Sequence, residues 1–172
     1  MAEKGKVRRA RFRDVEAVYE VIRENPREVL PRSFQNLAQN FDRFFVYERA
    51  GEVLGVISWQ AMPVLDLKRP DWTIEVMSFS VRKAYQRQGI GHALLTRLLK
   101  ELENYDPDRI LVLTFYPEYF RKFGFRKTSK EKLYSKIYVG CLNCTRYRSP
   151  LTCPEVAMEI MKKRRTKGGN KG

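Results

Sequence analysis

The sequence predicts an α/β domain in which a mixed sheet carries helices on both faces, and three observations predict it. Residues 72–81 form a strand-like run with apolar side chains at 72, 74, 76, 77, 79 and 81. That run leads into Tyr85-Gln86-Arg87-Gln88-Gly89-Ile90-Gly91, which opens directly into a helical pattern, Leu94, Leu95, Leu98, Leu99, Leu102 and Tyr105, with Arg97, Lys100, Glu101 and Glu103 opposite. Along the whole chain the order reads strand, two helices, three strands, helix, strand, helix, strand, without an internal repeat.

Each element has a local reason. Residues 7–12 read as the first strand, and Asp14 stands at a helix N-cap ahead of Val15, Val18, Tyr19 and Ile22, with Pro26 closing that helix. Ser33 is placed to cap a second helix that buries Phe34, Leu37, Ala38 and Phe41. Residues 44–48 and 53–62 read as strands joined by the hairpin signal Arg49-Ala50-Gly51-Glu52. A proline- and charge-rich loop, 63–71, precedes the central strand. Beyond the long helix, Asp106-Pro107-Asp108 breaks the chain before residues 109–114, whose Ile110-Leu111-Val112-Leu113 run suits a buried parallel strand. A short helix over 118–122 ends at Gly124, and residues 134–139 supply a last strand.

With 172 residues, 43% hydrophobic and 12% aromatic, the chain is expected to form one domain with a sizeable core, which excludes a disordered protein. The formal charge is +14; residues 162–172 hold six basic residues and no acid, and without them +8 remains. That end reads as a disordered basic tail, and the remaining excess suits a protein that binds anionic small molecules. The sequence offers no apolar run of membrane-spanning length and no leader pattern, so a soluble cytoplasmic protein is the expectation. Cys141, Cys144 and Cys153 have spacing that thiolate zinc ligands use, but a fourth ligand is not visible, so zinc is a weak candidate beside three ordinary thiols.

The segment from Gln86 to His92 is a candidate anion cradle. Two glycines within three residues permit a tight turn and close backbone approach, and the helix behind them offers amides and the positive end of its dipole. A pyrophosphate fits such a bend; a plain strand-to-helix connection is the alternative. The pattern is neither a dinucleotide-binding fingerprint nor a P-loop, because Lys and Ser/Thr do not follow the second glycine.

The spacing Gln/Arg-x-x-Gly-x-Gly/Ala, as Gln86-Arg87-Gln88-Gly89-Ile90-Gly91, resembles the acyl-CoA loop of the GNAT acetyltransferases, and the element order over about residues 7–139 is similar to theirs. The resemblance implies the GNAT fold, mostly antiparallel, with residues 1–139 as the acetyltransferase domain, 140–161 as a cysteine-containing extension packed on it and 162–172 as the tail. It also implies acetyl-CoA as acetyl donor, held by Phe79, Ser80, Val81, Gln86, Arg87, Gln88, Gly89, Ile90, Gly91 and His92. Near the end of the family pattern, Tyr119-Phe120-Arg121-Lys122-Phe123-Gly124-Phe125 has Phe120 where a tyrosine often protonates the departing thiolate. Tyr119, Tyr116 or water is left for that task, or the thiolate leaves unassisted.

Leu30-Pro31-Arg32-Ser33, Glu75 in the central strand, Thr114 and Ser135-Lys136 together resemble the N-acetylglutamate synthase family in its short, stand-alone form. This implies transfer of acetyl to the α-amine of L-glutamate, the entry step of arginine biosynthesis. Glu75 would be the base, and Arg32, Ser33, Thr114, Ser135 and Lys136 would meet the acceptor. Leu133 replaces an arginine that longer members carry. The partners implied are acetyl-CoA and L-glutamate, with neither membrane nor nucleic acid required; a homodimer is a possible assembly.

The chemistry stands without the family. Acetylating an ammonium requires a base, and a strand glutamate flanked by Ile74 and Val76 is a candidate whose desolvation favours a raised pKa. An ion pair with a neighbouring arginine is the alternative for Glu75. Arginine suits an acceptor bearing carboxylates because its planar N–H groups bond them side by side. Two other functions fit parts of the sequence: a GNAT enzyme acting on a protein N-terminus, lysine or polyamine, and a non-catalytic basic nucleic-acid-binding protein.

Overall fold

The computed structural model describes residues 5–141, 144, 146–147 and 149–162, so the predicted basic tail lies outside the described residues except for Lys162. Among the described residues seven strands form a mixed sheet, and the α/β expectation holds. The chain divides into two compact units, Met1–Ala61 with Glu75–Asp106 and Met62–Ile74 with Pro107–Gly172.

The first unit carries β1 (Lys6–Arg9), α1 (Val15–Arg23), α2 (Phe34–Gln39), β2 (Phe44–Arg49), β3 (Glu52–Ala61), most of β4 (Thr73–Val81) and α3 (Ile90–Leu102). Strand alternation distributes its core. Phe44 and Val46 join Val15, Val18, Val21, Ile22, Leu37 and Val56 in one buried cluster on the α1 side. Phe45 and Gly55 point the other way: the Arg97 guanidinium of α3 lies 4.8 Å over the Phe45 ring, and a Cβ on Gly55 would meet Ile90 at 2.9 Å and Leu94 at 3.0 Å. Helices therefore cover both faces of β2–β3, and the missing side chain at 55 lets the first turn of α3 sit close to the sheet.

The β2–β3 hairpin turns where expected, with Ala50 at φ 49° and Gly51 at φ 77°. Both central residues are left-handed, as the tightest hairpin turns require. Ser33 accepts from Asn36 N–H at 3.1 Å and caps α2 as predicted. Asp14 precedes α1 but does not cap it. Its carboxylate accepts two bonds from Arg8, 2.6 and 3.0 Å, and one from Arg11 N–H, 2.6 Å, while Arg8 Nε reaches Glu48 at 2.7 Å. That ion pair joins β1, β2 and the entry to α1. Of the side chains expected in the core, Phe34 and Tyr105 are exposed. With only six residues, α2 buries one position, Leu37, and Tyr105 instead lays its ring against Trp59.

The second unit holds the first two residues of β4, then β5 (Arg109–Thr114), α4 (Pro117–Arg121), β6 (Arg126–Lys127), α5 (Tyr134–Lys136) and β7 (Val156–Met161). Residues 134–139 are helical: α5 continues into a π-helical turn, Ile137–Cys141, and Ile137 N–H bonds Leu133 C=O at 2.9 Å. The alternation Tyr134, Lys136, Tyr138 imitates a strand, but both tyrosines are exposed and only Leu133 is buried, against Leu111 and Ala157. The last strand is β7, in the segment expected to be an extension packed on the domain. It runs antiparallel to β5, with Arg109 opposite Met161 and Thr114 opposite Val156, and to β6. Trp72, expected at the start of the buried central strand, is exposed and spends its carbonyl on Asp108 N–H at 2.9 Å.

Candidate active site

In the first unit, β4 and the loop behind it assemble most of the residues singled out from the sequence. Glu75 is buried, with 3% of its surface exposed, between Ile74 and Val76. Three residues on, the strand departs from regular geometry: Ser78 has φ 48°. A non-glycine residue in this left-handed region costs about 1–3 kcal/mol and persists only where neighbours hold it. Arg32 is the neighbour. Its Nε donates to Ser78 Oγ at 2.7 Å, its Nη1 to Asn36 Oδ1 at 2.8 Å and its Nη2 to Met77 Sδ at 3.3 Å.

Ser33 contributes through its hydroxyl, which accepts from Asn36 N–H in the capping bond and thereby fixes the seat of Arg32. Burial pushes the Arg32 guanidinium below its ordinary value, and attraction to the Glu75 carboxylate opposes that shift. The structure thus brings Arg32, with Ser33 behind it, close enough to Glu75 for the two charges to attract.

Past β4 the chain turns through residues 83–85 into the cradle. Arg87 at φ 62° and Gly89 at φ 82° are both left-handed, and residues 86–89 are exposed. The first intrahelical bond is Ala93 N–H to Gly89 C=O at 3.0 Å, so the amides of Gly89, Ile90 and Gly91 precede any acceptor within α3. Ile90 is buried, which anchors the turn while leaving that edge open. Gly89 begins α3 in a conformation that suits glycine, and His92 lies on the exposed side of the first turn.

Two residues stand out here that the sequence reading passed over. Ser78 reads as an ordinary strand position, and nothing in a serine signals a left-handed backbone. Asn25 directly precedes Pro26, the residue expected to close the helix. It is 6% exposed, and its Nδ2 donates to Ser80 Oγ at 2.7 Å and Val81 C=O at 3.1 Å while its Oδ1 accepts from Gln86 Nε2 at 3.1 Å. Ser80 Oγ in turn donates to Val21 C=O at 2.9 Å. The side chains of Ser80 and Gln86, both expected at the cofactor, are therefore bonded into this network. A buried-type Asn-Pro pair at a helix end was the available signal.

Residues 12–125 match the acetyltransferase (GNAT) family. The chain belongs to that family. An uncharacterised N-acetyltransferase of Chlorobaculum tepidum is 28% identical over 154 residues, 88% of this chain and 93% of the relative. An amino-acid acetyltransferase of Mycobacterium tuberculosis is 28% identical over 135 residues, 77% of this chain and 74% of the relative. Among solved structures, Rv2747 of Mycobacterium tuberculosis, in complex with CoA, superposes with a TM-score of 0.74 at 25% identity, covering 91% of this chain and 99% of that one.

The other positions singled out in the sequence belong to the second unit. Thr114 is buried at the end of β5, where its Oγ1 accepts from Tyr116 N–H at 2.9 Å. Tyr119 lies in α4 with its ring 5.6 Å from Phe120 and 5.4 Å from Phe123, and burial pushes its hydroxyl up to about 12. It holds its proton at neutral pH. Phe120 packs edge-on against Phe125 at 5.4 Å, as expected of core aromatics. Ser135 and Lys136 sit on the helical turn of α5, so the predicted strand pair is replaced by neighbours about 100° apart around a helix.

Zinc does not fit. Among the described residues no three His, Cys, Asp or Glu side chains gather as metal ligands, and Cys141, Cys144 and Cys153 form no disulfide. Burial raises Cys153, disfavouring the thiolate that a metal needs, and its Sγ donates to Glu155 at 3.5 Å. Among the described residues no helix is long and apolar enough to cross a membrane.

Proposed function

We propose that the protein transfers the acetyl group of acetyl-CoA to the α-amine of an amino acid, with L-glutamate as acceptor. The observation that carries this reading is Arg32 seated on β4 beside Glu75, on the strand that leads into the cradle. A cation and a buried carboxylate on one strand match what an amino acid brings, a carboxylate and an ammonium. The 28% identical relative named amino-acid acetyltransferase supports the same class.

The cradle fits the diphosphate of CoA. Its exposed bend, its left-handed Arg87 and Gly89 and the leading amides of α3 supply main-chain donors and one guanidinium for a doubly anionic group. When bound, acetyl-CoA supplies a thioester carbonyl open to attack by a neutral amine. Glu75 takes the proton that the acceptor ammonium must lose, directly or through water. Arg32 has five N–H donors and commits three to Ser78, Asn36 and Met77, which leaves one on each terminal nitrogen for a carboxylate. The turn at Ser78 reorients the backbone that follows it, and the amides of residues 79–81 are the donors assigned to the developing oxyanion. Tyr119, protonated across the physiological range, is assigned the proton for the departing thiolate.

The test is thiol release from acetyl-CoA with each amino acid offered singly. This reading expects glutamate to give the highest kcat/KM. Faster turnover with lysine, glutamine or peptides contradicts glutamate as acceptor and leaves the family membership standing.

A further inference from the structure

We infer that Asn25 is a positioning residue for the CoA loop: a buried amide that locks Gln86 to the end of β4 and so sets the cradle's shape before CoA arrives. The inference rests on the reading of residues 86–91 as the CoA site and goes beyond it, because Asn25 lies outside the loop and far from it in sequence.

The geometry leaves Asn25 little freedom. One nitrogen serves Ser80 Oγ at 2.7 Å and Val81 C=O at 3.1 Å, and the oxygen receives Gln86 Nε2 at 3.1 Å. Gln86 Nε2 also donates to Val81 C=O at 3.2 Å, closing a ring between the last residues of β4 and the first of the cradle. The adjacent Glu24 holds the middle of the same turn, accepting Arg82 Nη1 at 2.5 Å and Lys83 N–H at 3.0 Å. Two consecutive residues at the end of α1 therefore grip residues 80–86 at both ends and in between.

A surface turn does not need a buried amide for stability alone. Asparagine is costly to bury, and truncating one partner leaves Ser80 Oγ or the Gln86 amide without its mate. What the arrangement secures is one conformation of a segment that ends in two left-handed residues, Arg87 and Gly89. Preorganisation of this kind lowers the ordering cost of ligand binding.

The experiment uses the full chain and titrates CoA by calorimetry, alongside steady-state kinetics, for wild type, Asn25→Ala, Gln86→Leu and the double variant. Expected are at least a tenfold loss of CoA affinity in Asn25→Ala, an acceptor KM within about twofold of wild type, and a double variant little worse than either single one, because the residues act as one unit. Ser80→Ala, which removes a partner from the same network, reads the same split if Asn25→Ala does not fold. Unchanged CoA affinity in a folded Asn25→Ala, equal losses for CoA and acceptor, or fully multiplicative effects in the double variant would overturn the inference alone. A wild type that takes up no CoA overturns the reading of the cradle and this inference with it.

Discussion

Arg32 Nε donates to Ser78 Oγ at 2.7 Å, and Ser78 is the residue of β4 that is bent into the left-handed region, at φ 48°. One contact thus ties the loop ahead of α2 to the point where the central strand changes direction. Ser78 has to tolerate positive φ, and Arg32 fills the space its hydroxyl faces. Replacing Ser78 by a β-branched residue should therefore be severe: Ser78→Val is expected to lose about 2–3 kcal/mol in urea unfolding, whereas Ser78→Gly keeps the backbone unstrained and loses less. Equal losses in the two variants would mean that backbone conformation does not decide the cost.

Arg32 should separate acceptor from donor. Arg32→Gln is expected to raise the KM for glutamate by roughly 10- to 100-fold, about 1.4–2.7 kcal/mol, while the dissociation constant for CoA stays within a factor of two. Arg32→Lys should recover little, because an ammonium cannot serve Ser78, Asn36 and a carboxylate from one plane. A loss of CoA binding equal to the loss for glutamate would place Arg32 in general stability instead.

The two residues assigned to proton transfer give different signatures. Glu75→Gln is expected to lower kcat by about 100-fold or more with CoA affinity and Tm little changed. Tyr119→Phe removes only the hydroxyl from a packed ring, so a smaller fall in kcat, of order tenfold, is expected with the fold intact. Unchanged turnover in either variant eliminates that residue.

Much of this arrangement is legible in the chain. The switch from strand-like to helical periodicity across Gly89 marks the cradle, and Ser33 and the Ala50-Gly51 pair announce a cap and a hairpin turn that the structure contains. What escaped has physical reasons. The sheet places β7 between β5 and β6, but its partners lie more than 30 residues away and the helical stretch 134–141 mimics the expected strand. Asn25 acts through Ser80 and Gln86, separated from it by 55 and 61 residues, and such pairing leaves no local pattern. Asp14 has the composition of a cap for α1, but its carboxylate is taken by the Arg8 guanidinium and by the N–H of Arg11, which precedes it in the chain.

That last pair predicts an acid-sensitive contribution to stability. The side-chain bond from Arg8 holds the Asp14 carboxyl below its ordinary value of about 3.9, against an opposing effect of burial. A depressed carboxylate stabilises the fold fully above its unfolded value and loses that contribution as pH falls through the folded one. Asp14→Asn should thus cost about 1 kcal/mol near pH 7 after allowance for solvent screening. The gap to wild type should narrow below about pH 4 and close in stronger acid. A gap that is constant with pH would show that charge at Asp14 does not matter.

The central claim is that the bend at Gly89 holds CoA, and calorimetric titration of CoA into the full chain, wild type against Gly89→Val, tests it most directly. With φ 82° at position 89, valine cannot keep the turn that presents the leading amides of α3. The account predicts one CoA per wild-type chain and a loss of affinity of at least 100-fold in a folded Gly89→Val. Undiminished binding in that variant, or none in the wild type, would contradict it.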